Sequence, residues 1–154
     1  MLRDNRTENE GQPDWAALVA RWGGVALLHT DVSMVTLALR AVGKVAYLAT
    51  PYHDYCDGTA LAADLADEWR RSLIGLAKLR CYSPAVNAQI VTDFTGDEAP
   101  VNRPHVTSEL RLVELVVVPP MAGWEASPEV WRVVRTALAL NLPVYVLAEQ
   151  AGRL

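Results

Sequence analysis

The sequence predicts an α/β protein whose core is a parallel β-sheet with helices on both faces. Two observations lead to this fold class. Four short apolar runs follow one another between residues 45 and 147, and segments with helical spacing or helix-capping residues separate them. Strands that alternate with helices form parallel sheets joined by right-handed crossovers. We therefore expect four to five strands in a Rossmann-like or flavodoxin-like arrangement.

The four runs cover residues 45–49 (VAYLA), 80–83 (RCYS), 114–119 (ELVVVP) and 143–147 (PVYVL). The first is apolar at every position, which is typical of a strand covered by helices on both faces. The third contains three consecutive valines, which favour a central strand. We expect all four strands to be adjacent and parallel.

Helices are expected between these strands. Over residues 60–79, apolar side chains recur at spacings of three and four and predict one apolar face, formed by Leu61, Leu65, Trp69, Leu73 and Leu76. Another helix begins at Ser127-Pro128-Glu129, which combines a capping serine, a first-turn proline and an acid near the helix dipole. It runs to about residue 140. Between the two we expect a helical turn at 86–91, a loop at 92–104 and a short helix at 106–112.

The chain before residue 44 has a different character. Residues 1–12 are polar and predict a disordered tail, and residues 13–43 predict a helical appendage to an α/β domain over 44–154. In the appendage, Asp14 can cap a helix over 15–22, and a second helix over 34–42 ends at Gly43. The apolar stretch 25–29 fits either a strand or a buried turn.

Composition excludes several classes of function. The net charge is −4 and no basic run occurs, so we expect no nucleic-acid partner. The early apolar stretch 25–42 is interrupted by charged residues and predicts no membrane span. Cys56 and Cys81 are typical of reduced thiols in a cytoplasmic protein. No metal or other cofactor is expected, because no standard ligand spacing relates His29, His53, His105 and Cys56.

Four motifs occur in order between residues 45 and 147. The first is YLATPY at 47–52, and the second is CYSP at 81–84. The third joins ELVVV at 114–118 to GWEAS at 123–127, and the fourth covers 137–147. Together they resemble the motifs of the nucleoside 2-deoxyribosyltransferase-like family, especially its small bacterial and phage branch of unknown function.

This resemblance implies a sheet that binds a nucleoside or nucleotide over the C-terminal edge of its strands. The same location follows independently from the rule that ligands of open α/β sheets bind in the crevice at that edge. In active members of the family, a helix glutamate attacks the anomeric carbon of the 2-deoxyribosyl group. A second acid protonates the leaving group, as in a retaining glycosidase.

The chain departs from the family at this nucleophile. The resemblance places the glutamate ten residues before Pro143, where this sequence has Val133. An aspartate of the branch is replaced by Val113, and residues 131–142 contain no acid. Valine cannot form a glycosyl ester, so we expect little or no deoxyribosyl transfer.

The motifs nominate a set of site residues. The catalytic candidates are Tyr47, Glu125 and Glu129. Their alternative roles are, in that order, a core tyrosine, a solvated loop acid and an acid that complements the helix dipole. His53 and Asp54 belong either to a ligand loop or to a surface turn. Ligand contacts are expected from Tyr47, Thr50, Pro51, Tyr52, Ser83, Asn87, Gly123, Trp124 and Ser127.

Three functions remain open from the sequence. The one we favour is a domain that binds a nucleoside or nucleotide and has weak or no transferase activity. The others are an active N-glycoside transferase or hydrolase on deoxynucleosides, and an interaction protein with a vestigial pocket. We also expect a homo-oligomer, because Trp15, Leu18, Val19 and Trp22 recur at helical spacing and a small domain cannot easily bury all five tryptophans of the chain.

Overall fold

The computed structural model describes residues 12–96 and 106–151, and its centre is a five-stranded sheet. In chain order the strands are β1 (Leu28–Val32), β2 (Val45–Leu48), β3 (Arg80–Tyr82), β4 (Leu115–Val118) and β5 (Val144–Leu147). Their order across the sheet is β1-β5-β4-β2-β3, and all neighbouring pairs are parallel. The predicted fold is therefore confirmed, and the architecture is Rossmann-like or flavodoxin-like.

The described residues form the helices α1 (Trp15–Trp22), α2 (Met34–Ala41), α3 (Thr59–Ala77), α4 (Pro84–Thr95), α5 (Val106–Leu110) and α6 (Pro128–Ala139). Side-chain caps fix several starts, as expected for Ser and Asp before a first turn. Asp14 accepts a hydrogen bond from the backbone of Ala17 at 3.1 Å, and Ser127 accepts one from Val130 at 3.3 Å. None of the helices in the described part of the chain is long and apolar enough to cross a membrane.

Residues 13–43, which the sequence predicts as an appendage, contribute to the same sheet. β1 pairs with β5, with Leu28 opposite Val144. α2 buries Leu37 completely in the cluster that covers one face of the sheet. β1 lies three residues later than the predicted stretch 25–29, and its central residues are polar because this strand is at the sheet's edge. Residues 1–11 of the expected tail lie outside the described part of the chain.

Helix α3 buries an alanine-rich face, which corrects the predicted leucine stripe. Of that stripe only Leu73 is fully buried, and Leu61 and Leu76 are each 42% exposed. Small side chains allow α3 to approach its neighbours closely, as the dense packing of protein interiors requires. The side chains that α3 buries are Ala62, Ala63, Ala66, Leu73 and Ala77.

Helix α4 is longer than the predicted turn at 86–91. Ser83 caps its first turn, Pro84 occupies a position where a missing N–H is harmless, and the helix continues to Thr95. Gly96 ends it with a φ of 74°, a left-handed conformation that glycine adopts without strain. The first residues of the expected loop 92–104 are thus helical, and residues 97–104 lie outside the described part.

The two faces of the sheet carry different helices. α2 and α3 cover one face, where Leu37 and Leu73 join the buried side chains of β2, β4 and β5. α5 and α6 cover the other, where Leu110 and Val134 join the opposite side chains of these strands. The chain moves outward from β2 to β3 and then returns to β4 and β5. A crevice opens where such a reversal occurs, at the C-terminal ends of the adjacent strands β2 and β4.

Candidate functional site

A cavity of about 290 Å³ lies at this C-terminal edge, between the end of β2 and the first turns of α4 and α6. Helix α5 contributes its remaining wall through Val106 and Glu109. Apolar side chains make up about half of the lining. Its polar residues are Tyr47, Thr50, Tyr52, His53, Tyr82, Asn87, Glu109, Glu129 and Arg132.

Glu129, in the first turn of α6, holds the loop that follows β2. Its Oε1 accepts hydrogen bonds from the backbone N–H groups of Tyr52 and Asp54, at 3.1 and 3.2 Å. Its Oε2 lies 3.2 Å from Nδ1 of His53. The loop therefore occupies most of the acceptor capacity of this carboxylate.

The charge state of Glu129 follows from these contacts. Burial opposes its ionisation, but hydrogen bonds from His53, Asp54 and Tyr52 outweigh burial and lower the pKa of Glu129. Partial burial and the Glu129 carboxylate raise the pKa of Asp54. The Ser127 hydroxyl donates to both oxygens of Asp54, at 3.2 and 3.0 Å, and partly offsets that rise. Glu129 is thus the more firmly ionised member of the pair.

Glu109 is a pocket carboxylate that the sequence analysis missed. The Tyr82 hydroxyl donates to its Oε1 at 3.1 Å, and the Tyr47 hydroxyl donates to its Oε2 at 3.4 Å. Glu109 lies on α5, before β4, and belongs to none of the four motifs. Its side chain reaches the site only because α5 packs against α6. The sequence signal for it was a single acid between Val106 and Leu110, which both turn inward.

The two tyrosines act as neutral hydrogen-bond donors. Burial, followed by the charge of Glu109, raises the pKa of Tyr47 far above its ordinary value. The same two causes raise the pKa of Tyr82. Their rings meet edge to face, with centroids 5.7 Å apart. Tyr47 is therefore a buried core residue whose hydroxyl contacts a pocket carboxylate.

Two hydroxyl groups on the loop after β2 differ in their partners. Tyr52 is buried and donates to Oε1 of Gln89 at 2.9 Å. Thr50 is 8% exposed, and its Oγ1 has no hydrogen-bond partner among the described residues. An unsatisfied buried hydroxyl costs about 1–3 kcal/mol. Thr50 lines the cavity, so this hydroxyl is available to a ligand.

Arg132 is the only lysine or arginine that lines the cavity within the described ranges. It lies on α6, three residues after Glu129, and is half-buried. None of the ion pairs between described residues involves it. A guanidinium that pairs with no described carboxylate is available for two parallel hydrogen bonds to an anionic group.

Several residues nominated from the sequence lie away from the cavity. Glu125 is exposed, and its backbone oxygen accepts a hydrogen bond from Nε1 of Trp15 at 2.8 Å. Trp124 packs against the same Trp15, with ring centroids 4.9 Å apart. The structure thus brings together Tyr47, Thr50, Tyr52, Asn87 and Glu129 from that set. It leaves outside the lining Pro51, Ser83, Gly123, Trp124, Glu125 and Ser127.

Val133 lines the cavity and is 7% exposed, so the position that the resemblance gives to the nucleophile does face the site. Val113 is buried in the core cluster next to α5 and does not line the cavity. Neither position offers a carboxylate. The cavity obtains its two carboxylates from Glu109 and Glu129 instead.

Metal-ligating and thiol groups do not gather at this site. In the part of the chain that the structure describes, no group of His, Cys, Asp and Glu could hold a metal ion; His105 lies outside that part. Cys56 and Cys81 are free, and burial raises the pKa of Cys81 to about 12. A thiol with that pKa is a poor nucleophile at neutral pH.

Comparisons with protein-family models, with curated proteins and with solved structures found no match to this chain. The fold and the cavity by themselves define a class, an α/β protein with a small-molecule-sized pocket at the switch point of a parallel sheet.

Proposed function

We propose that the protein binds a nucleotide in this cavity and has weak or no transferase activity. The observation that carries the proposal is a cavity at the switch point that combines apolar walls with the polar groups of Tyr47, Glu109 and Arg132. Such a lining suits a ligand with one flat apolar part and several hydrogen-bonding groups. The resemblance of the four motifs supports the same class of ligand.

A nucleoside 5′-monophosphate fits the charges better than a free nucleoside. Arg132 can hold a phosphate by two parallel hydrogen bonds. Pro84 and Ala85, in the first turn of α4, also line the cavity, so the positive end of that helix dipole faces it. Both features favour an anionic group on the ligand.

Arg132→Gln should therefore weaken the binding of a nucleoside 5′-monophosphate about 10- to 100-fold, the range for a lost charge-assisted hydrogen bond. The corresponding nucleoside should be affected by less than about threefold, because it lacks the phosphate. Titration calorimetry measures both affinities. Arg135→Gln is the matched control, since Arg135 is exposed on the same helix and does not line the cavity.

Failure of every nucleoside and monophosphate to bind at millimolar concentration would contradict this function. It would favour the alternative of an interaction protein with a vestigial pocket. Native mass spectrometry of the protein purified from cells supplies an independent measurement, and a retained nucleotide mass is the expected result.

Base exchange between deoxynucleosides and free bases should stay near the uncatalysed rate. Val133 offers no nucleophile, and the oxygens of Glu129 are engaged by the loop after β2. Near-attack geometry tolerates little displacement, so a carboxylate bonded in this way is poorly placed for displacement chemistry. Chromatography of base exchange and base release measures the activity. Robust turnover that Glu129→Gln abolishes would show that this residue is the nucleophile after all.

N-glycoside cleavage or transfer is a second candidate function, and one observation favours it. Glu109 presents a carboxylate inside the cavity, although neither aligned position does. A retaining mechanism also needs a protonated acid roughly 5 Å away, and the firmly ionised Glu129 does not meet that need, so this candidate rests on Glu109 alone. This candidate predicts base release that Glu109→Gln abolishes and that the exposed control Glu149→Gln leaves unchanged. Absence of base release from the wild-type protein would exclude it.

We also propose a cytoplasmic homo-oligomer, most simply a dimer. The N-terminal tryptophans no longer support it, because Trp15 packs against Trp124 and Trp131 within one chain. Support comes instead from the exposed apolar side chains of α4, where Phe94 is 91% exposed and Ile90 lies one turn before it. Apolar side chains grouped on one helix face are typical of protein contacts.

Sedimentation should show a dimer at micromolar concentration, and Phe94→Ser should shift it toward the monomer. Leu112→Ser is the control, because Leu112 is also exposed but belongs to the turn after α5 and not to α4. A monomeric wild-type protein at this concentration would contradict the proposed oligomer. Equal effects of Phe94→Ser and Leu112→Ser would show that α4 is not its interface.

A further inference from the structure

The two carboxylate oxygens of Glu109 accept the same number of hydrogen bonds, whereas those of Glu129 do not. Each oxygen accepts one tyrosine hydroxyl, from Tyr82 at 3.1 Å and from Tyr47 at 3.4 Å. A carboxylate oxygen can accept about two hydrogen bonds. Each oxygen therefore keeps one acceptor position that no described residue fills, and both positions belong to one planar carboxylate.

Glu129 lacks this property. Its Oε1 already accepts two backbone N–H groups and its Oε2 faces His53. Glu109 is half-buried, lines the cavity and accepts hydrogen bonds from two tyrosine hydroxyls that keep their protons. It is therefore the carboxylate with both the access and the free capacity to contact a ligand.

We infer that Glu109 accepts two parallel hydrogen bonds from a pair of adjacent donors on the ligand, and that this pair decides which ligands the cavity retains. The inference rests on the proposed nucleotide-binding function and specifies the ligand group that its carboxylate contacts. Paired donors are the natural complement of a carboxylate, as in its bidentate pairing with arginine.

A nucleotide presents such a donor pair at two places. One is the 2′,3′-diol of ribose, whose 2′-hydroxyl a carboxylate binds in dinucleotide-binding α/β sheets. The other is the edge of guanine, where N1–H and the 2-amino group are adjacent donors. Hypoxanthine lacks the amino group and deoxyribose lacks the 2′-hydroxyl. Four ligands therefore separate the two sources.

The experiment measures the affinity of the 5′-monophosphates of guanosine, 2′-deoxyguanosine, inosine and 2′-deoxyinosine by titration calorimetry. Loss of the recognised donor should weaken binding to the wild-type protein about 10- to 100-fold, because it leaves a charged acceptor without its partner. In Glu109→Gln the same loss should cost less than about threefold, since glutamine has a single acceptor oxygen. Glu149→Gln is the control and should behave as the wild type.

The pattern identifies the source of the donors. A difference between the ribo- and deoxyribonucleotides indicates the diol, and a difference between the guanine and hypoxanthine nucleotides indicates the base edge. Equal affinities for all four ligands, or a difference that Glu109→Gln preserves, would overturn the inference. Tyr82→Phe is a second variant that keeps the charge of Glu109 but releases one oxygen, and it should reduce the discrimination.

Small probes separate this inference from the nucleotide proposal. Ligand-observed NMR can compare 2-aminobenzimidazole with benzimidazole, and ribose with 2-deoxyribose, for the wild-type protein and Glu109→Gln. If no nucleotide binds but one donor-pair probe binds in a Glu109-dependent way, the nucleotide proposal fails and this inference holds. If nucleotides bind but Glu109→Gln leaves the differences between their affinities unchanged, the nucleotide proposal holds and this inference fails. If no ligand or probe shows dependence on Glu109, the inference is wrong.

Discussion

Leu73→Ala should lower the free energy of unfolding by about 2–5 kcal/mol, the range for a large-to-small change in a packed core. Leu73 is the only leucine of α3 that is fully buried, and it joins the cluster that covers one face of the sheet. The same substitution three residues later, Leu76→Ala, should cost less than about 1 kcal/mol because Leu76 is 42% exposed. Urea unfolding monitored by circular dichroism gives both values.

The pair of variants tests which face of α3 is buried. Equal losses would mean that Leu76 is covered in solution, either by a different packing of α3 or by a second copy of the chain. Repetition at several protein concentrations distinguishes these, because stability that depends on an oligomer changes with concentration.

Glu129→Ala should lower the free energy of unfolding by about 2–4 kcal/mol at neutral pH, since it removes a charged acceptor from two backbone N–H groups. Those groups belong to Tyr52 and Asp54, in the loop that lines the cavity. Ligand affinity should fall with stability, because the loop loses the contact that orders it. Glu125→Ala, an exposed acid on the preceding turn, should change stability by less than about 0.5 kcal/mol.

The effect should depend on pH in a defined direction. The pKa of Glu129 is lowered in the folded state, so its contribution is present above its ordinary pKa and is lost as the pH falls through the folded value. The difference between wild type and Glu129→Ala should therefore shrink below about pH 4. A difference that stays constant from pH 7 to pH 3 would show that the ionised form is not what stabilises the loop.

The contribution of Asp54 to stability should depend on pH in the direction opposite to that of Glu129, which gives an internal check. Its pKa is raised, so its contribution to stability is present below its ordinary pKa and is lost as the pH rises through the folded value. Asp54→Asn should cost little at neutral pH, because an amide oxygen still accepts the Ser127 hydroxyl and the repulsion with Glu129 is gone.

Part of the candidate site follows from the sequence because it is local. Tyr47, Thr50 and Tyr52 lie in one segment at the end of a strand, and any parallel sheet brings that edge to a ligand. Their contacts are not local. Tyr47 meets Glu109 across 62 residues, and the backbone of Tyr52 meets Glu129 across 77 residues. No periodicity or motif carries information about such pairs.

The sequence by itself determined the α/β class, the parallel pairing of four strands and the starts of the capped helices. These features depend on side-chain periodicity, β-branched runs and capping residues, which act over a few positions. Tertiary structure decided that β1 joins the sheet, that α3 buries its alanines and that Glu109 completes the cavity. Each of these depends on close contact between segments far apart in the chain, where shape and unsatisfied hydrogen-bonding groups, rather than local pattern, select the arrangement.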